Sequence, residues 1–168
     1  SIVKQTEEKH HHFDQKQIII TASGSAKARI SPADLVLVDM QKGRPVYQGS
    51  MSSETPMHLA VYAKQPRARA ILHTHPPNLL ALWLKNQEKL IQLPLYELSL
   101  FLPKLTRVGP LAPGSRELAK ATGEAAREHE AIFLENHGLV CWADTLSKAL
   151  ALSEELDSLA AIQLRAGL

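Results

Sequence analysis

Ala68-Arg69-Ala70-Ile71-Leu72-His73-Thr74-His75-Pro76-Pro77 runs an apolar strand directly into two prolines. Proline has no N–H to give to a ladder, so a strand read over 68–73 stops at the histidines. Side chains alternate along a strand, which sets His73 and His75 on one face, roughly 6–7 Å apart along the chain, and Thr74 on the other. Two imidazoles so placed can converge on one ion at an open sheet end. Taken alone, the pair reads rather as two polar histidines finishing a strand.

Outward from this stretch, the chain reads as strands first and then strands alternating with helices. Gln17–Thr21 (QIIIT) and Leu35–Asp39 (LVLVD) are β-branched apolar runs bounded by Ser, Gly and Lys, the pattern of buried strands. A turn through Lys42-Gly43-Arg44-Pro45 leads to a short strand at Val46 and Tyr47. Ser52-Ser53-Glu54-Thr55-Pro56 opens a helix that ends before Pro66, with a hydroxyl residue available as its cap. After the histidines, Asn78 caps a helix to about Glu88, while residues 90–105, broken by Pro94 and Pro103, take no clear assignment. Ser115 caps a helix over 116–128, Ala131–Leu134 (AIFL) and 139–142 (LVCW) pair across the Asn136-His137-Gly138 turn, and a last helix runs over 145–165. Mixed order of this kind predicts an α/β domain with a largely antiparallel or mixed sheet covered by helices.

Composition narrows the function. The 168 residues carry 19 basic and 17 acidic side chains, net +2, with no block of like charge of the kind that binds nucleic acid or a membrane surface. A small-molecule partner is expected instead. Cys141 is the single cysteine, so no intrachain disulfide can form, and it reads as a buried thiol within Leu139-Val140-Cys141-Trp142. No apolar run approaches the roughly 18 residues that span a bilayer, so the expected setting is cytoplasmic. Lys9-His10-His11-His12 reads as a polar loop.

Three further groups carry chemistry. His137 lies at a second strand-to-turn junction, where Gly138 lets the backbone turn sharply; with His73 and His75 it would complete three protein ligands and leave an open position, as catalytic rather than structural zinc sites do. On its own it reads as a turn histidine. Glu54 at a helix start is either a carboxylate favoured by the helix dipole or an acid/base group. Free N–H groups at Ser52 and Ser53, and after the first strand at Ser23 and Gly24, can hold a phosphate or simply form turns. Lys27 and Arg29 could add positive charge nearby or remain solvated.

Thr21-Ala22-Ser23-Gly24, Ser52-Ser53-Glu54-Thr55-Pro56, His73-Thr74-His75-Pro76 and Glu135-Asn136-His137-Gly138 resemble, in this order, the successive signatures of the class II aldolase/adducin family. The resemblance extends over residues 17–164. It implies a three-layer α/β/α fold and one such domain over 1–168, with Zn2+ or another divalent ion such as Mn2+ on His73, His75 and His137. It further implies Glu54 as acid/base and Ser23, Gly24, Ser52 and Ser53 as phosphate ligands. The expected reaction is cleavage of a phosphorylated ketose, of the L-fuculose-1-phosphate kind, into dihydroxyacetone phosphate and an aldehyde. Dehydration or epimerisation of a sugar phosphate, or a noncatalytic adducin-like interaction module, are the alternatives. Members of the family often form homotetramers, and a tetramer is expected here. Ser1-Ile2-Val3-Lys4 is read as the strand that follows the family's N-terminal helix and Gly-Asn phosphate loop, both expected to be missing. Glu97, after Pro94-Leu95-Tyr96, is read as a surface carboxylate that some relatives would turn towards the metal; Tyr96 matches no family motif.

Overall fold

A computed structural model of the chain describes residues 2–6, 17–26, 29–87 and 90–168. Ser1, Lys9 to His12, Lys27 and Glu88, all singled out above, lie outside the described residues.

One eight-stranded sheet organises these residues, in the order β4-β3-β2-β1-β5-β8-β7-β6. Its strands are β1 (Ile2–Thr6), β2 (Gln17–Thr21), β3 (Leu35–Asp39), β4 (Arg44–Pro45), β5 (Ala70–Thr74), β6 (Leu105–Val108), β7 (Ala131–Leu134) and β8 (Gly138–Ala143). Every neighbouring pair is antiparallel except β6 with β7, so the sheet is mixed and mostly antiparallel, as expected. β1 lies between β2 and β5, which ties the first strand pairs to the histidine strand.

Alternation along the strands divides the core in two. Ile71, Ile132, Leu134, Val140 and Trp142 face one layer, where they pack with Met57, Val61 and Tyr62 of α1 (Thr55–Lys64) and Leu118 and Ala119 of α4 (Arg116–Ala125). Leu72, Ala131, Phe133, Leu139 and Cys141 face the other layer. Their partners are Leu79, Leu82 and Trp83 of α2 (Pro77–Asn86), Leu98 of α3 (Tyr96–Phe101), and Leu152, Leu156 and Leu159 of α5 (Leu146–Ala166). Apolar side chains on both faces of β7 and β8 therefore require helices on both sides, which gives the three-layer α/β/α arrangement. No helix among the described residues is long and apolar enough to cross a membrane.

Several boundaries differ from the sequence expectation. The hairpin strand expected at Val46 and Tyr47 forms earlier, at Arg44–Pro45, because Asp39 accepts from the N–H groups of Gln41 and Lys42 and tightens the turn. α1 begins at Thr55, so Glu54 rather than a hydroxyl residue occupies the cap position. Ser52 still contributes, since its carbonyl accepts from the Thr55 hydroxyl at 2.6 Å and its hydroxyl from the Glu54 N–H at 3.2 Å. β5 covers Ala70–Thr74 instead of starting at residue 68.

α2 starts at Pro77 without a local cap, and Asn78 is inside it. Its open N–H groups are met by Asp157 of α5, whose Oδ1 accepts from the N–H of Asn78 at 2.8 Å and of Leu79 at 3.0 Å. Residues 90–105, unassigned from sequence, contain α3, a single 3-10 turn at Leu102–Lys104 and the start of edge strand β6. Ser115 caps α4 as expected, accepting from the Leu118 N–H, and Thr145 caps α5, accepting from the Lys148 N–H.

Candidate metal centre

β5 delivers His73 from within the sheet and His75 just beyond its last residue, Thr74. Thr74 points the other way, its hydroxyl 2.9 Å from that of Ser153 on α5. The β7–β8 turn brings in His137, whose N–H donates to Leu134 at 3.0 Å. Ring centroids of His73 and His75 are 5.1 Å apart, of His73 and His137 4.8 Å, and of His75 and His137 5.5 Å. One nitrogen from each of the three lies within 4.8 Å of the others, and among the described residues this is the one His/Cys/Asp/Glu group so arranged.

Protonation is settled by surroundings. The His73 Nδ1–H donates to the Leu139 carbonyl at 3.1 Å, which leaves Nε2 as the lone-pair nitrogen. Burial pushes this imidazole down to about 3, with the His137 ring adding to the effect, so it is neutral near pH 7. His75 is exposed yet also lowered, by partial burial first and by His137. The Glu54 carboxylate acts on His75 in the opposite direction, as a negative charge that favours the protonated ring. Neutral imidazoles are what a divalent cation needs as ligands. His137 Nδ1 and Glu54 Oε2 are buried with no hydrogen-bond partner among the described residues, so the donor set fits a resident ion.

Gly138 has a role that differs from the expected one. The sharp turn is made by Asn136, with φ of 59°, while Gly138 has no positive φ. What Gly138 provides is space, because a β-carbon there would overlap the Thr74 carbonyl and stand 2.6 Å from His75 Cδ2.

The two serine loops meet at the same end. Ala22 bridges to Met51, and the Ser23 N–H donates to Ser50 at 2.9 Å. Ser23, Gly24 and Ser53 are exposed and Ser52 is half-buried; Gly24 takes a φ of 76°, the left-handed conformation that glycine tolerates. Gly114, ahead of α4, packs against the Ser53 carbonyl. Arg29 is exposed. Tyr96, 93% exposed, and Glu97 lie on α3, and Glu97 does not belong to the histidine cluster. The sequence singled out no role for His58, wholly buried on α1 one turn after Glu54.

The family model for the class II aldolase and adducin N-terminal domain matches residues 4–164. The chain belongs to the class II aldolase and adducin family. It is 33% identical over 148 residues to the L-fuculose phosphate aldolase of Methanocaldococcus jannaschii, an alignment covering 88% of this chain and 78% of that one. With the 3-oxo-tetronate 4-phosphate decarboxylase of Haemophilus influenzae it shares 32% identity over 156 residues, 88% of this chain and 71% of the other. Among solved structures, an L-fuculose 1-phosphate aldolase superposes with a TM-score of 0.81 at 24% identity over 99% of this chain and 75% of that one, a likeness of fold. Members of this class II aldolase family thus include enzymes named for different reactions on phosphorylated compounds.

Proposed function

We propose that the protein is a metal-dependent aldolase that cleaves a phosphorylated ketose of the L-fuculose-1-phosphate kind into dihydroxyacetone phosphate and an aldehyde. The observation that carries the reading is the approach of His73, His75 and His137 to within 4.8 Å, with the buried Glu54 carboxylate acting electrostatically on His75. Residues 1–168 are read as one domain of the family, working in the cytoplasm as a homo-oligomer, a tetramer favoured, on a small sugar phosphate and without a nucleic-acid or membrane partner.

His73, His75 and His137 would hold the ion, with Zn2+ first and Mn2+ next given the imidazole donor set. When bound, a divalent ion supplies Lewis-acid stabilisation of negative charge developing on a substrate oxygen. Ser23, Gly24, Ser52 and Ser53 would take the phosphate through hydroxyl and N–H donors, and that binding energy positions the reacting carbons. Glu54 is the acid/base, and its buried Oε2 is the atom that would deliver a proton to the carbon left by C–C scission, or remove it in the condensation direction. Enclosure of that oxygen keeps bulk water from taking its place.

Decarboxylation is the second reading, supported by the relative named for it, because it too breaks a C–C bond and leaves an electron pair on carbon. The test is a panel of ketose phosphates, L-fuculose 1-phosphate among them, assayed for triose-phosphate release by the metal-loaded protein. Release that Glu54→Gln abolishes is expected. Carbon dioxide from a 3-oxo acid phosphate, water loss or epimerisation would transfer the site to those reactions, and silence on all of them would leave the noncatalytic adducin-like reading.

A further inference from the structure

We infer that Trp83 and Arg107 are positioning residues for His137, acting through the left-handed turn at Asn136; this rests on the reading of His137 as a metal ligand. Asn136 has a φ of 59°, the left-handed region that asparagine adopts more readily than other side-chain-bearing residues, and a partner for its side chain fixes the turn further. Trp83 of α2 provides the hold, since its Nε1–H donates to Asn136 Oδ1 at 3.1 Å. The Trp83 ring is itself buried and rests on Phe133, with centroids 5.7 Å apart.

Arg107 of β6 closes the arrangement. Its guanidinium lies 5.1 Å from the Trp83 ring centroid, and its Nε donates to Glu135 Oε1 at 3.0 Å. Glu135 is further tied by its N–H to the Val108 carbonyl at 3.0 Å. The two residues that precede His137 are therefore each gripped by a side chain from another element, and the two gripping side chains stack on one another. A buried indole N–H needs an acceptor, and here that acceptor is the side chain of the left-handed turn residue, while Arg107 links the tryptophan to the next turn residue. Because the Asn136 dihedrals aim the chain into His137, loss of the grip would let the imidazole leave the position it shares with His73 and His75. Contacts behind a metal ligand typically govern affinity by about 10–100-fold.

The test is Co2+ titration of chelator-treated full-length protein, followed by visible absorption, alongside the melting temperature of the metal-free form. Trp83→Phe keeps an aromatic ring without the donor, Asn136→Gly keeps the left-handed backbone without the acceptor, and Asn136→Asp restores an acceptor. About 10–100-fold weaker Co2+ binding with an altered spectrum is expected for the first two, with the parent spectrum recovered in Asn136→Asp. Asn136→Gly should melt within a few degrees of the parent, and it carries the test should Trp83→Phe not fold. Parent affinity and spectrum in both variants, while His75→Ala loses Co2+, would overturn this inference and leave the metal centre standing. A parent that takes up no Co2+ would overturn the metal reading and the inference with it.

Discussion

Gly138 and His75 occupy adjoining space so closely that a β-carbon on residue 138 would stand 2.6 Å from His75 Cδ2, and 3.2 Å from His73 Cε1. Glycine is needed there to let β8, the return strand of the β7–β8 hairpin, pass the two histidines, and no unusual backbone angle is involved. Gly138→Ala is expected to displace both rings and abolish or greatly weaken metal uptake, while costing about 1–3 kcal/mol of stability as an overpacked site. Metal content per chain and a urea melt of the same sample check this; full metal occupancy would show that the neighbours give way.

Glu54→Gln keeps the size and polarity of the side chain and removes its ability to exchange a proton. Turnover is expected to fall by about 10^2–10^4-fold, the usual contribution of a positioned acid/base group, with metal content unchanged. A variant that retains the parent rate would remove Glu54 from the mechanism.

His58 and His73 are both buried in the neutral form, their imidazoles driven down mainly by burial, His73 to about 3 and His58 well below the ordinary histidine value. The unfolded chain binds protons at these positions near pH 6.5 and the folded chain does not. Stability of the metal-free protein is therefore full above about pH 6.5 and lost progressively as the pH falls below that value, by up to about 1.4 kcal/mol per pH unit for each histidine. Urea melts at pH 7 and pH 5 should show this loss, and His58→Gln should reduce the difference between them. An identical difference in the variant would show that His58 takes no part in acid unfolding.

Asp157→Ala removes the carboxylate that accepts from the N–H groups of Asn78 and Leu79 and from the Asn78 side chain at 2.8 Å. A loss of about 1–3 kcal/mol is expected, since partly buried donors at the start of α2 are left without their acceptor. Because α2 begins two residues after His75, weaker metal binding should accompany the loss, and Asp157→Asn should recover part of both. A melt unchanged from the parent would show that water replaces the cap at no cost.

The chain's strands differ in how far local pattern announced them. Gln17–Thr21, Leu35–Asp39 and Ala131–Leu134 form over the residues expected, because unbroken β-branched or apolar runs bounded by turn residues leave the backbone few alternatives. Leu105–Val108 was not legible: it is an edge strand of mixed exposure whose pairing partner, β7, lies beyond α4 in sequence. α3 was hidden between Pro94 and Pro103, short enough that its packing against α5 rather than its own periodicity stabilises it.

The sequence by itself determined the kinds of residue at the site, the termination of the histidine strand by Pro76 and Pro77, and the opposite facing of Thr74, because alternation and the missing proline N–H act over a few neighbouring residues. The tertiary structure decided that His137 meets a histidine pair some sixty residues away and that Gly138 is needed for space rather than for its turn. It also decided that Asp157 caps α2 and that Trp83 holds Asn136. Each of these depends on the pairing of β5 with β8 and the packing of α2 and α5 on the sheet, contacts between distant segments that close only when the whole core forms.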